Sequence, residues 1–254
     1  FSLGPGGYFL IIDRLFETLD QRIRKWRDFG DNPHNSHDGC SNKKGMRLMG
    51  SRPFELDEGP NPMDERLSIA LQISAAVMYL HSHSIIFRDL KPTNIGFDVR
   101  GDVKIFDFGL ARIMPENGRH YDDTFKMSGA GSPRYMAPEC LCSEAYNMKA
   151  DVYSFAILLW EMLSGETPYG FARTVEHLAD HVVNEHVRPE IHKNWPGNIK
   201  TMMKNSFDGD IEKRPEMEIV HNVIKAALII LRDGNSAGLS HSSIVRRRSK
   251  ESMV

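Results

Sequence analysis

Residues 85–94 read "IIFRDLKPTN": a short apolar run, then Arg88, Asp89, Lys91 and Asn94 within seven positions. Two strand-like runs follow, "IGFD" at 95–98 and "VKIFD" at 103–107. Only Val99, Arg100, Gly101 and Asp102 separate them, so a β-hairpin is predicted. Its second strand runs into Asp107-Phe108-Gly109. A loop carboxylate (Asp89), a loop amide (Asn94) and a carboxylate at a strand end (Asp107) make an oxygen-rich set. Mg²⁺ suits such a set, because it takes one or two carboxylates and completes its shell with water and phosphate oxygens. Lys91 adds a point charge where negative charge builds up. Positioning plus electrostatics, with little covalent work for the protein, is what phosphoryl transfer requires.

Upstream, "GGYFLIIDRLF" reads as a buried strand ending near Asp13, and "ETLDQRIRKWRDF" as an amphipathic helix. From Gly30 to about Pro62 the chain turns to Gly, Asn, Pro, Ser and charge, and the expectation is an exposed, disordered insertion. A helix is predicted over "MDERLSIALQISAAVMYLHSH", where Leu67, Ala70, Leu71, Ser74, Val77, Met78 and His81 recur at helical spacing. Leu110 to Ala137 reads as a long loop. "DVYSFAILLWEMLSG" is apolar nearly all round, closes on Gly165, and belongs in the middle of a core. A last helix covers "EMEIVHNVIKAALIILR", and residues 233–254 read as a flexible basic tail.

Bulk properties narrow the class. The 254 residues carry a net charge of −2, so no global field draws the chain to nucleic acid. No window supplies a membrane span, and the opening "FSLGPGGYFLIID" lacks the charged n-region and long apolar run expected of a signal peptide. Three cysteines, Cys40, Cys140 and Cys142, are scattered over a large chain. That pattern predicts free thiols, a reducing compartment and a soluble cytoplasmic protein. "RRRS" at 246–249 offers a route to the nucleus or a solvated tail.

"FRDLKPTN", "DFG" and Ala137-Pro138-Glu139, taken in this order, resemble the C-terminal lobe of a eukaryotic protein kinase. "GSPRYMAPE", "DVYSFAILLWEMLSGETPY" and "KRPEM" extend the likeness over roughly residues 8–232, the insertion excepted. Lys91-Pro92 is similar to the serine/threonine branch, and "GSPRYMAPE" to its tyrosine-kinase-like group. The resemblance implies an α+β protein-kinase-like fold, seen here as a mainly helical large lobe with a short hairpin. It also implies ATP and Mg²⁺ as cofactors and a protein substrate.

The residues at matching positions acquire implied roles. Asp89 would orient the acceptor hydroxyl and take its proton, and Lys91 would balance charge on the γ-phosphoryl group. Asn94 and Asp107 would hold Mg²⁺. Ser132 stands where the family touches the catalytic loop. Ile12 would be the gatekeeper, and the backbone of Asp13 to Leu15 would meet adenine. Glu139 and Arg214 match a buried structural pair. Asp151 matches a residue that braces the catalytic loop through its backbone. Arg88 would belong to a basic pocket for a phosphorylated Thr124 or Ser128.

Phe87 stands where the family has His, as a ring able to fill the same volume, and Gly96 where it usually places a Leu beneath adenine. No G-x-G-x-x-G precedes the first strand, and the first lysine is Lys25. The expectation is therefore a piece of a longer protein whose small N-terminal lobe precedes Phe1. The alternative is a catalytically silent kinase-like interaction module. His34, His37 and Cys40 read as a polar loop rather than a zinc site, because no second ligand pair completes a tetrahedron. His81 and His83 read as capping or surface residues, and Cys140 and Cys142 as structural.

Overall fold

The structure, a computed structural model, describes residues 14–28, 62–114 and 123–248, with side chains to residue 233. The predicted strand ending near Asp13, Ile12 and Asp13 themselves, and the body of the predicted insertion with His34, His37 and Cys40 lie outside the described residues.

The chain enters as β1 (Glu17–Thr18) and turns directly into α1 (Leu19–Asp28). The sequence reading starts this helix at Glu17. The later start has a local cause: Thr18 N donates to Gln21 Oε1 at 2.9 Å and Gln21 N to Thr18 Oγ1 at 3.4 Å, a reciprocal cap three residues apart. Next come α2 (Pro62–Ser82), β2 (Ile85–Ile86), β3 (Ile95–Phe97), β4 (Val103–Ile105), β5 (Arg112–Ile113) and β6 (Phe125–Lys126). The remaining elements are helices apart from β7: α3 (Pro138–Leu141), β7 (Ala145–Tyr146), α4 (Lys149–Ser164), α5 (Val175–Ala179), α6 (Gly197–Ser206) and α7 (Met217–Arg248).

The predicted hairpin is β3–β4, antiparallel with Ile95 opposite Ile105 and Gly96 opposite Lys104. β1 adds to its other edge, giving the order β1-β3-β4. The segment read as one long loop instead carries β5 and β6, which pair with β2 and β7. Each is two residues long, too short for alternation to show, and each finds its partner far along the chain.

All sixteen residues of α4 are buried, as an all-round apolar helix must be. Gly165, at φ 73°, ends it in the left-handed conformation that favours glycine. On α2, Leu67, Ala70, Ser74, Val77 and His81 are buried, while Leu71 and Met78 pack at the core's margin. α7 lies along α2, and its Val220, Ile224, Ala227 and Leu228 are buried there. The sequence reading ends α7 at Arg232 and begins a flexible tail at 233. The helical backbone instead continues to Arg248. No helix among the described residues is long and apolar enough to cross a membrane.

Candidate active site

Asp89 sits on the turn between β2 and β3, and three side chains converge on its carboxylate. Lys91 Nζ donates to Oδ2 at 2.7 Å, Ser132 Oγ to Oδ1 at 2.8 Å, and Asn94 Nδ2 to Oδ2 at 2.9 Å. Lys91 Nζ also donates to Ser132 Oγ at 2.8 Å, closing a ring of Asp89, Lys91 and Ser132. Asn94 Nδ2 reaches the Asp89 carbonyl as well, at 2.9 Å, so it fixes both ends of that residue. Burial pushes the Asp89 carboxyl up, but the hydrogen bonds from Lys91 and Ser132, with the Lys91 charge, outweigh it and hold the group below its ordinary value. The carboxylate is therefore ionised and acceptor-only at neutral pH.

The loop carrying this ring is braced from α4. Asp151, fully buried, accepts from Phe87 N (Oδ2) and Arg88 N (Oδ1), both at 2.8 Å. His81 Nε2 lies 3.0 Å from the same Oδ2. The expectation that His81 caps a helix or faces solvent is overturned: it is buried and supports the brace. Arg88 holds a left-handed φ of 70°. Gly131, at φ 130°, passes so close that a Cβ there would stand 2.5 Å from the Arg88 carbonyl, which only glycine permits.

Asp107 is brought beside Asn94 by the hairpin register, since Phe106 N donates to Asn94 O at 3.1 Å and Asp107 follows directly. It is exposed, at φ 64°, and its Oδ1 accepts from Gly109 N at 3.4 Å. The backbone thus places an amide residue and a carboxylate residue close together across the hairpin, and donors of this chemistry would suit Mg²⁺ with water and phosphate oxygens filling the shell. Phe87 is fully buried, and its ring meets Phe108 edge-on at 5.2 Å, so the aromatic replacement keeps a packed stack.

Leu15 covers Gly96: a Cβ on Gly96 would stand 2.7 Å from Leu15 Cδ1. The volume lost at Gly96 is filled from across the β1–β3 edge.

Arg88 Nε donates to Leu110 O at 2.6 Å, and its Nη1 to Tyr146 Oη at 3.0 Å and Ser128 O at 3.3 Å. Tyr146 Oη also donates to Ser128 O at 3.0 Å. The structure therefore brings Ser128 to Arg88 through its backbone, while Thr124 is exposed just before β6. Tyr146 escapes sequence reasoning altogether. An open cleft of about 360 Å³ lies against the ring, lined by Asp20, Lys91, Thr93, Ser132, Pro133 and Tyr135. A larger cleft of about 510 Å³, with Arg188, Lys204 and Phe207 in its wall, contains none of the site's residues.

A family model described as "Protein tyrosine and serine/threonine kinase" matches residues 19–224, and the chain belongs to that family. It is 36% identical over 163 residues to serine/threonine-protein kinase STY17 of Arabidopsis thaliana, covering 63% of this chain and 27% of that protein. With serine/threonine-protein kinase 36 of Mus musculus it shares 34% over 163 residues, 64% of this chain and 12% of that protein. With dual specificity protein kinase shkB of Dictyostelium discoideum it shares 38% over 149 residues, 58% of this chain and 22% of that protein. Across the curated relatives named here, the chain spans between about a tenth and a quarter of their length.

Proposed function

We propose that the protein carrying this chain is a serine/threonine protein kinase, transferring the γ-phosphoryl group of ATP to protein hydroxyls. One observation carries the reading: an ionised Asp89 is held by Lys91, Ser132 and Asn94 on a loop pinned by Asp151. Bound MgATP would supply the transferable phosphoryl group and the charge that stabilises its transfer. Asp89 accepts the hydrogen bond of the incoming hydroxyl and aims it. Because its pKa is low, it takes the proton only as the oxygen's own acidity rises along the reaction. Lys91, already beside Asp89 and Ser132, places one positive charge on the acceptor's side. Asn94 and Asp107 would hold Mg²⁺, which would supply charge to the phosphates, and the cleft beside Lys91 and Ser132 receives the substrate chain.

The test is phosphoryl transfer to a generic protein substrate by the full protein. Asp89→Asn is expected to lower the rate by about 10²- to 10⁴-fold with the fold unchanged. Asp107→Ala should abolish transfer, and full activity in that variant refutes the metal assignment.

The Leu15–Gly96 packing favours a second reading, a lobe that presents its surface to partners without catalysing, because Leu15 lies where the resemblance implies a nucleotide platform. Failure of the full protein to bind MgATP selects this second reading.

A further inference from the structure

The helical path does not stop at the end of α5. From Asp180 to Asn184 the backbone winds as a π turn, with Glu185 N donating to Asp180 O at 3.1 Å. Residues five apart on an α-helix point about 140° away from each other. The wider π turn brings them nearly into line, so Asp180 and Glu185 share a face. His181, four residues before Glu185, joins them there. Each of the three offers one ligand atom, and all of these atoms lie within 4.8 Å of one another.

The histidine is oriented for more than packing. His181 Nδ1 lies 2.8 Å from the His177 carbonyl oxygen. A carbonyl only accepts, so Nδ1 carries a proton, and Nε2 is the ring nitrogen left to meet a metal. A ring whose second nitrogen donates to a backbone carbonyl is the arrangement found behind metal-binding histidines. Nε2 faces Glu185 Oε2 at 3.6 Å, too long for a hydrogen bond. A tetrahedral ion with bonds of about 2.0–2.2 Å sets its donors about 3.3–3.6 Å apart, which matches that gap.

The surroundings hold the ring and one carboxylate in place. The His177 ring stands edge-on at 4.3 Å and Phe171 lies at 5.0 Å from His181. Asn184 Nδ2 donates to Asp180 Oδ1 at 2.7 Å. Two carboxylates balance a doubly charged ion, and a mixed nitrogen and oxygen donor set suits Zn²⁺ better than Mg²⁺ or Ca²⁺.

We propose that Asp180, His181 and Glu185 bind a divalent transition-metal ion, Zn²⁺ by chemical class, with water completing the shell. The ion ties the two ends of the π turn together and so stabilises it.

Calorimetric titration of the full chain with ZnCl₂, and thermal unfolding with and without Zn²⁺, test this without any kinase assay, so the result stands apart from the catalytic reading. Wild type is expected to bind one equivalent saturably and to unfold at a higher temperature with Zn²⁺. His181→Ala and the isosteric Glu185→Gln should each weaken binding by about 10- to 100-fold while leaving the metal-free unfolding temperature near wild type. His34→Ala/His37→Ala should bind as wild type does. Equal affinity in wild type and His181→Ala overturns the site. So does the absence of saturable binding in wild type up to about 1 mM Zn²⁺.

Discussion

One carboxylate oxygen of Asp151, Oδ2, serves two masters: it accepts from Phe87 N at 2.8 Å and lies 3.0 Å from His81 Nε2. The helix that forms the middle of the core therefore sets the backbone of the loop that carries Asp89. Asp151→Ala strands two buried backbone N–H groups, at about 1–3 kcal/mol each, for an expected loss of about 2–6 kcal/mol. Asp151→Asn keeps one acceptor and should lose less. Denaturant unfolding gives the stability, and hydrogen exchange at Phe87 and Arg88 shows whether the loop opens. Unchanged exchange in Asp151→Ala contradicts the brace.

Glu139 and Arg214 meet through two bonds of 2.7 Å, with the Arg214 side chain wholly buried and its guanidinium 5.1 Å from the Tyr153 ring. Glu139→Ala leaves that charge without a counter-charge and should cost about 3–5 kcal/mol. The double change Glu139→Leu/Arg214→Met removes both charges and should recover part of the loss. A double variant no more stable than Glu139→Ala argues against the stranded charge as the cause.

What the sequence shows of this fold and site is what lies close along the chain. Asp89, Lys91 and Asn94 are neighbours, and the hairpin from β3 to β4 closes through a short turn, so composition and spacing reveal both. His81 and Tyr146 act on partners 70 and 58 residues away, and no local pattern names a partner. His81 does fall on the apolar stripe of α2, one turn beyond Val77, and that position marks it as buried. The two-residue strands β5 and β6 have no periodicity to read, and only tertiary pairing defines them.

Gly96 lies in a strand interior, where glycine is worth about 0.5–1 kcal/mol less than alanine. Gly96→Ala should nevertheless gain little, because the new Cβ meets Leu15 Cδ1 at 2.7 Å and Leu15 must move. With Leu15→Ala in place, the same change should stabilise by about 0.5–1 kcal/mol. A double-mutant cycle measures the difference. Additivity of the two substitutions shows that Leu15 does not fill the glycine's space.

Glu161 gives a pH dependence with a definite sign. It is buried on α4, with Tyr135 Oη donating to Oε2 at 2.6 Å and Arg27 Nη2 to Oε1 at 3.0 Å. Burial raises its pKa, and the Tyr135 hydrogen bond and the Arg27 charge offset only part of that rise. The native state thus holds this proton more tightly than the unfolded chain does. Its contribution to stability is complete below the unfolded value and declines as pH rises through the raised native one. Glu161→Gln keeps a neutral side chain and removes this titration. The unfolding temperature of Glu161→Gln relative to wild type should therefore climb as pH rises above the ordinary carboxylate range and through the raised native value. A difference that stays flat or falls across that window means that Arg27 and Tyr135 together outweigh the burial of the charge.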